Sequence, residues 1–234
     1  MLFVVPFIIL GLVIAGHIVL FNKTTYHQTT GNSYFSTLSD KGRYGEYLIS
    51  KNLSHLEKQG AKFLFNVYFP KENGETTESD VILITARGFI VFESKNYSGW
   101  IFGDEKQTTW TQTLPQGKGR AAHKEKFFNP IMQNDLHIKY LRSVVGPEYS
   151  IQSIIAFSER CELKKVTVTS PDVQVVKRNY INQAVKTTLD RMPQDALSAE
   201  QVEQLYQLLL PYSQVSEAVK QQHIQNINEH HAKN

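Results

Sequence analysis

The chain has 234 residues, 41% of them apolar, which is enough for one sizeable folded domain with appended segments. Its formal net charge of +3 is small, so no overall field indicates a nucleic-acid partner and any such signal must be local. A single cysteine, Cys161, excludes an intramolecular disulfide and any zinc site built from several cysteines.

The chain begins with an uncharged apolar run over residues 2–21. In a helix that rises ~1.5 Å per residue, this run reaches about 30 Å, the hydrocarbon thickness of a bilayer. A signal peptide is the competing interpretation, but the basic segment that usually precedes its apolar core is missing. We therefore expect residues 1–21 to form an uncleaved, single-pass transmembrane helix with the lipid bilayer as its partner.

Basic residues follow this run, with Lys23 directly after it and Lys41 and Arg43 further on. Under the positive-inside rule they place the C-terminal part in the cytoplasm, so the expected location is the cell membrane with a cytoplasmic domain. The lone free cysteine agrees with a reducing compartment. Residues 22–38 are rich in Thr, Asn, Ser and Gly and are predicted to form a polar linker.

A helix is predicted from about residue 40 to residue 59, because apolar side chains recur there at helical spacing: Gly45, Ile49, Leu53 and Leu56. Ser39 or Asp40 can cap its start, and Gly60 is a natural stop. Glu46 lies on this helix, where a glutamate is most often solvent-exposed. The aromatic and β-branched residues 62–69 then predict a strand.

A β-hairpin with buried strands is predicted next, because two apolar runs, residues 81–85 and 89–92, flank an Ala-Arg-Gly turn. Three charged side chains stand where these strands end, namely Asp80, Glu93 and Lys95.

The loop of this hairpin decides which of the three charged residues meet. A two-residue loop at Arg87-Gly88 places Asp80 opposite Lys95, with Glu93 on the same face, whereas a loop at Ala86-Arg87 places Asp80 opposite Glu93. A three-residue loop would shift the register by one residue and separate them. In both two-residue registers, two carboxylates and an ammonium converge at one end of the hairpin.

This convergence suits a metal-dependent hydrolysis. Paired carboxylates hold Mg²⁺ or Mn²⁺, because hard divalent ions prefer oxygen ligands. A lysine beside the metal can orient or deprotonate the attacking water and offset the charge that builds on a phosphate. The alternative is a solvated cross-strand ion pair, since Glu-x-Lys is common at strand ends.

Two short strands are predicted at residues 100–103 and 108–111, with aromatic side chains interpreted as packing rather than as base-stacking platforms. Residues 116–126 are predicted to form a loop that carries four basic side chains: Lys118, Arg120, Lys124 and Lys126. Lysine and arginine in such a segment either contact nucleic-acid phosphates or are simply solvated, and the composition does not separate the two.

A second helix is predicted from Pro130 to about Gly146, with Asn129 as its N-cap and Gln133 in its first turn. Further strands are predicted at residues 151–157, 165–169 and 173–176, followed by a short helix over residues 180–189. A capping box at Ser198 and Gln201 opens a helix that ends near Pro211, before a polar tail. Strands that return after a helix favour a mixed α/β sheet with flanking helices.

Several blocks in this order resemble the nuclease-related domain NERD, a branch of the PD-(D/E)xK nuclease superfamily. They are residues 42–46, 76–80 and 93–99, Trp110 and residues 129–134, so the resemblance covers roughly residues 38–157. Ser79 is a departure, because the family usually has a bulky aliphatic residue before its aspartate. The resemblance implies an α/β fold with a restriction-endonuclease-like mixed β-sheet flanked by helices.

The resemblance also implies functional roles. Glu46 would complete the acidic cluster of Asp80 and Glu93, and Gln133 would approach the active site to position the substrate or Lys95. His137 stands where the superfamily often has a tyrosine, so that tyrosine's phosphate-orienting role does not carry over, and zinc ligation by His137 is not expected because no second ligand stands at helical spacing.

The sequence therefore predicts a membrane-anchored nuclease that uses Mg²⁺ or Mn²⁺ to hydrolyse DNA. Asp80, Glu93 and Glu46 would hold the metal, and Lys95 and Gln133 would complete the catalytic set. The expected organisation is a domain core at residues 39–158, completing elements at 159–192, and a C-terminal helix and tail at 193–234. The alternative is a non-catalytic module of the same fold that tethers nucleic acid or a protein at the membrane.

Overall fold

A computed structural model of the protein describes residues 5–117, 120–194 and 196–232. The helices in these ranges are α1 (Val5–Asn22), α2 (Thr25–Thr30), α3 (Tyr34–Ser39), α4 (Lys41–Glu57), α5 (Pro130–Val145), α6 (Ile181–Arg191), α7 (Ala199–Ser213) and α8 (Glu217–Ala232). The strands are β1 (Lys62–Pro70), β2 (Thr76–Thr85), β3 (Gly88–Lys95), β4 (Gly99–Asp104), β5 (Thr109–Leu114), β6 (His123–Phe128), β7 (Ile151–Phe157), β8 (Cys161–Thr167) and β9 (Val173–Lys177).

The strands form two mixed sheets. The first has the order β1-β2-β3-β7-β9, in which β1, β2 and β3 are antiparallel neighbours and β3, β7 and β9 run parallel. The second has the order β6-β5-β4-β8, with only β4 and β8 parallel. The predicted mixed α/β architecture with flanking helices is therefore confirmed, although it contains two sheets rather than one.

Helices cover both faces of the first sheet. On one face, α4 and α6 enclose a core that includes Ile49, Phe65 and Phe92, and on the other, α5 and α7 enclose one that includes Val67 and Leu141. The predicted helices around residues 40–59 and 130–146 are confirmed. Their caps are also as predicted, since Asp40 accepts a hydrogen bond from the Arg43 N–H and Asn129 from the Ile131 N–H.

The polar linker predicted for residues 22–38 is wrong, because this segment contains α2 and α3. Thr24 and Ser33 cap the two helices, and the fully buried Tyr26 packs its ring 5.0 Å from that of Phe65 and 5.8 Å from that of Tyr47. The helices are too short to show an apolar periodicity. Their polar composition therefore hid an aromatic anchor that packs into the core.

Replacing Tyr26 with alanine should lower the free energy of unfolding by about 3–5 kcal/mol, because it empties a fully buried aromatic site. Chemical denaturation of the full chain measures this loss. Phe35→Ala is the matched control, since Phe35 lies on the neighbouring helix and is 61% exposed. Equal effects of the two substitutions would show that α2 does not stabilise the domain.

The apolar side chains of α1 are mostly exposed, including Phe7, Ile8 and Leu12. Residues 1–4 of the predicted transmembrane helix lie outside the described residues. Within the part of the chain that the structure describes, no helix has the length and apolarity needed to span a membrane.

The structure corrects two predictions beyond residue 115. The loop predicted for residues 116–126 ends early, because His123–Phe128 pairs with β5 as strand β6. The helix predicted to stop near Pro211 continues to Ser213, since proline in the last turn removes few hydrogen bonds.

The predicted polar tail also differs, because it forms α8. This helix docks through the buried His223, whose Nδ1 lies 2.9 Å from Thr76 Oγ1. One buried side chain in an otherwise polar segment gives no apolar periodicity, so the sequence did not indicate this helix.

Candidate active site

The hairpin of β2 and β3 closes with a two-residue loop at Ala86-Arg87, because Thr85 pairs with Gly88. Gly88 has φ 119°, and a Cβ at this position would lie 2.3 Å from the Ser150 carbonyl oxygen, so only glycine fits. The same register brings Asp80 to the level of Glu93. Of the two convergent registers that the sequence allowed, the structure has this one.

The β1–β2 ladder is interrupted beside Asp80. Asn66 has φ 49°, which is uncommon for a residue other than glycine. Phe65 packs in the core on the α4 side, whereas Val67 packs on the α5 side, so the strand turns over at Asn66. Asp80 lies opposite this break, where backbone irregularity commonly marks a functional site.

The Asp80 carboxylate is anchored by β3, because its Oδ2 accepts a 2.7 Å hydrogen bond from the Ser94 N–H. Burial raises the pKa of Asp80 well above its usual range, and the charges of Glu93 and Glu46 raise it further, against the opposing effects of Lys95 and the Ser94 N–H. The folded, metal-free protein therefore gives up the proton of Asp80 less readily than a solvated aspartic acid does.

Glu93 and Lys95 form a tight ion pair. Lys95 Nζ lies 2.6 Å from Glu93 Oε1 and donates a second hydrogen bond of 2.9 Å to Gln133 Oε1. Burial opposes ionisation of Glu93, but Lys95 and His137 together hold its pKa below the usual range. The predicted residues Asp80, Glu93, Lys95 and Gln133 thus lie together.

His137, to which the sequence analysis assigned no role, lies beside Glu93. It is buried, its Nε2 lies 3.3 Å from Glu93 Oε2, and its Nδ1 lies 2.8 Å from Thr77 Oγ1. The contact between His137 Nε2 and Glu93 Oε2 does not have the geometry of a hydrogen bond. Glu93 Oε2 therefore has no hydrogen-bond partner among the described residues. The i, i+4 spacing from Gln133 was the available signal, because it places both side chains on one helix face.

Glu46 is a buried carboxylate on α4. Tyr26 Oη donates a 3.4 Å hydrogen bond to its Oε2, and no hydrogen bond joins Glu46 to Asp80 or Glu93 in the described residues. It borders a cavity of about 290 Å³ together with Asn66 and Glu78. Glu46 nevertheless lies near enough to Asp80 for its charge to raise the pKa of Asp80.

The donor set partly fits the divalent ion that the family implies. Within the described ranges, no group of three or more His, Cys, Asp or Glu side chains is arranged to hold a metal. Asp80 and Glu93 nevertheless offer hard carboxylate oxygens, and Glu93 Oε2 is buried without a hydrogen-bond partner. Two carboxylates with several retained waters is a common way to bind Mg²⁺. We therefore assign the candidate ligands as Asp80 and Glu93, with Glu46 at a greater distance.

The stability of the metal-free protein should fall as pH rises, because burial, with the nearby Glu78 charge, raises the pKa of Glu46 from its ordinary value to about 8. The folded state then holds a proton on Glu46 that the unfolded state loses near pH 4.5. The contribution of this proton to the free energy of unfolding is complete below pH 4.5 and is lost as pH rises through 8. Through Glu46 alone, the free energy of unfolding falls by at most about 1.4 kcal/mol per pH unit.

Denaturation in EDTA at pH 6 and pH 9 measures this dependence. The variant Glu46→Gln, which keeps a hydrogen-bond acceptor for Tyr26, should show a flatter profile than the unmodified chain. Identical profiles would rule out a raised pKa at Glu46.

The basic residues predicted to contact nucleic acid lie on other elements than Asp80, Glu93 and Lys95. Lys118 lies outside the described residues, Arg120 is exposed in a loop, and Lys124 and Lys126 are exposed on β6. Other basic side chains border the site itself. Lys95 opens into a cleft of about 440 Å³ that Lys41 and Arg160 also line, and this cleft suits a phosphate group.

Comparison with known proteins agrees with the resemblance seen in the sequence. Residues 41–158 match the family model described as nuclease-related domain, NERD. An uncharacterized protein of Bacillus anthracis is 32% identical over 193 residues, which cover 82% of this chain and 86% of the relative. No solved structure matches the chain.

Proposed function

The chain belongs to the nuclease-related domain (NERD) family, and from this premise we propose that it is a metal-dependent nuclease that hydrolyses DNA phosphodiester bonds. The observation that carries the proposal is the convergence of Asp80, Glu93, Lys95 and Gln133 at the end of one hairpin. A cleft that can admit a phosphate opens beside Lys95.

A bound Mg²⁺ or Mn²⁺ would be held by Asp80 and Glu93, and it would supply an activated water and neutralise charge on the phosphate. The chain's own residues prepare this site. Ser94 fixes the Asp80 carboxylate through its backbone N–H, and Lys95 fixes one oxygen of Glu93. Among the described residues Glu93 Oε2 accepts no hydrogen bond, although His137 Nε2 lies 3.3 Å away, so this oxygen is the candidate ligand atom.

Lys95 acts as a cation in this proposal rather than as a base. Burial alone would lower its pKa, but the charges of Glu93 and Asp80 outweigh burial and raise it. A protonated Lys95 donates hydrogen bonds to the attacking water or to a phosphate oxygen, and it stabilises negative charge as it builds. Gln133 holds the ammonium in place by accepting one of its hydrogen bonds.

The second candidate function is a binding module without catalysis. Its support is that no cluster of three metal-ligating side chains occurs in the described part of the chain, so any metal would rely on two carboxylates. Such a module would hold nucleic acid or a protein partner through the same fold.

Titration of Mn²⁺ into the full chain separates the two functions. The nuclease proposal expects saturable binding that raises the melting temperature, because a ligand that binds only the folded state stabilises it. Absence of binding at millimolar Mn²⁺ would favour the binding module.

Membrane anchoring through residues 2–21, with the domain on the cytoplasmic side, stays a proposal. It is supported by the exposed apolar side chains of α1. Fractionation of cells tests it, since an anchored chain remains in the membrane pellet after an alkaline wash. Release of the chain by that wash would contradict anchoring.

A further inference from the structure

The outer face of the second sheet carries aromatic rings and lysines that the proposed cleavage site does not use. The cross-strand register arranges them in two rows, Trp100–Thr113–Lys124 and Phe102–Thr111–Lys126. The inner face of the same sheet holds Ile101 and Trp110, which are buried in a core with Phe157. The two faces therefore differ, because the buried apolar core lies on the inner one.

The rings on the outer face are accessible. Trp100 is 38% exposed and Phe102 is half-buried, whereas Trp110 is fully buried and stacks on Phe157. On the neighbouring strand β5 this face carries Thr111, which is half-buried, and Thr113, which is buried. Of the aromatic residues that the sequence assigned to packing, Trp110 is confirmed in that role, but Trp100 is not.

Lysines border these rings on both sides. Lys124 and Lys126 lie on β6, and Lys165 pairs opposite Phe102 on β8. Lys164 Nζ lies 5.7 Å from the centroid of the Trp100 ring and 2.7 Å from Glu162 Oε1. Glu162 lies opposite Trp100, and Asp104 follows Phe102 on the same face of β4, so the four lysines beside the rings outnumber these two acidic side chains.

We propose that this face binds single-stranded nucleic acid, with bases stacked on Trp100 and Phe102 and phosphates held by the flanking lysines. Aromatic rings in the middle of a sheet offer a π-face to any unpaired base. Lysines at the edges attract the backbone on either side. A duplex hides its bases in the stack and leaves these rings nothing to contact.

The position of the face connects it to the cleavage site. Trp100 follows Lys95 by five residues, which span at most about 18 Å of extended chain. The cleft beside Lys95 is lined by Gln112 and Glu125 of the inner face, so a strand held on the rings would pass around an edge of this sheet to reach it. The inference that single strands are the substrate rests on the proposed nuclease function. The inference that this face binds single strands does not.

Tryptophan fluorescence of the full chain in EDTA tests the binding without cleavage. The chain has two tryptophans, so stacking on Trp100 quenches one emitter while the buried Trp110 reports on the fold. Oligothymidylate should quench the emission saturably and bind at least tenfold more tightly than a duplex of the same length.

Trp100→Ala should weaken this binding by about fivefold to a hundredfold, the worth of one stacked base, and remove the quench. Tyr180→Ala is the matched control, since Tyr180 is 59% exposed on a different element. Lys124→Ala with Lys126→Ala should reduce the salt dependence of binding, and this keeps the test decisive if the Trp100 variant folds poorly.

Three results would overturn the inference. The first is that the duplex binds as tightly as the single strand. The second is that the Trp100 and lysine variants bind the single strand with unchanged affinity. The third is that the chain self-associates through this face. If the unmodified chain binds the single strand in EDTA but cleaves no DNA when Mg²⁺ is present, only the nuclease function is contradicted.

Discussion

Replacing Asp80 with asparagine should reduce metal-dependent DNA cleavage at least about 100-fold while leaving the metal-free protein as stable as before. Burial, with the charges of Glu93 and Glu46, raises the pKa of Asp80, so removing this charge should not destabilise the metal-free fold. Asparagine keeps an oxygen that accepts from the Ser94 N–H. It removes the negative charge that a divalent ion requires.

Cleavage rates in Mg²⁺ and denaturation in EDTA measure the two halves of this prediction. Asp190→Asn is the control, because Asp190 is an exposed carboxylate on α6. Cleavage by the Asp80 variant at the unmodified rate would remove Asp80 from the metal site. A large loss of stability in EDTA would show that the folded chain needs the charged carboxylate.

Replacing Lys95 with alanine should reduce cleavage by about 10²–10³-fold while metal binding persists. The substitution removes the cation that stabilises charge on the phosphate, but it leaves both carboxylates in place. It also deprives the buried Glu93 Oε1 of its partner, so we expect a stability loss of about 1–3 kcal/mol, which a folded domain tolerates.

Cleavage rate and Mn²⁺ affinity are measured together on this variant. Lys139→Ala is the matched control, since Lys139 lies on α5 with a side chain that is 64% exposed and a long 3.7 Å contact to Glu72. Unchanged cleavage in the Lys95 variant would contradict the assignment. Loss of metal binding as well would show that Lys95 supports the site only by positioning Glu93.

The elements that carry the site were predictable from local patterns. The two apolar runs at residues 81–85 and 89–92 predicted the hairpin, and Asn129-Pro130 predicted the start of α5. The register was not decided by the sequence, because Ala86-Arg87 and Arg87-Gly88 both make acceptable two-residue turns. The structure has the register that sets Gly88 against the carbonyl of Ser150, the residue directly before β7.

The features of the fold and the site that were not predicted depend on contacts between segments far apart in the sequence. Tyr26 anchors α2 in the core by packing on Phe65, and a polar flanking sequence gave no sign of this. His137 enters the site because α5 packs over β3, which local spacing does not specify. Glu46 stays a predicted member of the metal cluster, because its charge acts on Asp80, while its hydrogen bond is with Tyr26 of the distant helix α2.

The most direct test of the account is cleavage of DNA by the full chain in the presence of Mg²⁺, Mn²⁺ or EDTA. Plasmid, linear duplex and single-stranded DNA are incubated in parallel, with the Asp80→Asn variant beside the unmodified chain. The account predicts cleavage that requires the metal and disappears in the variant. Folded protein that binds DNA and leaves every substrate intact under all three conditions would contradict it.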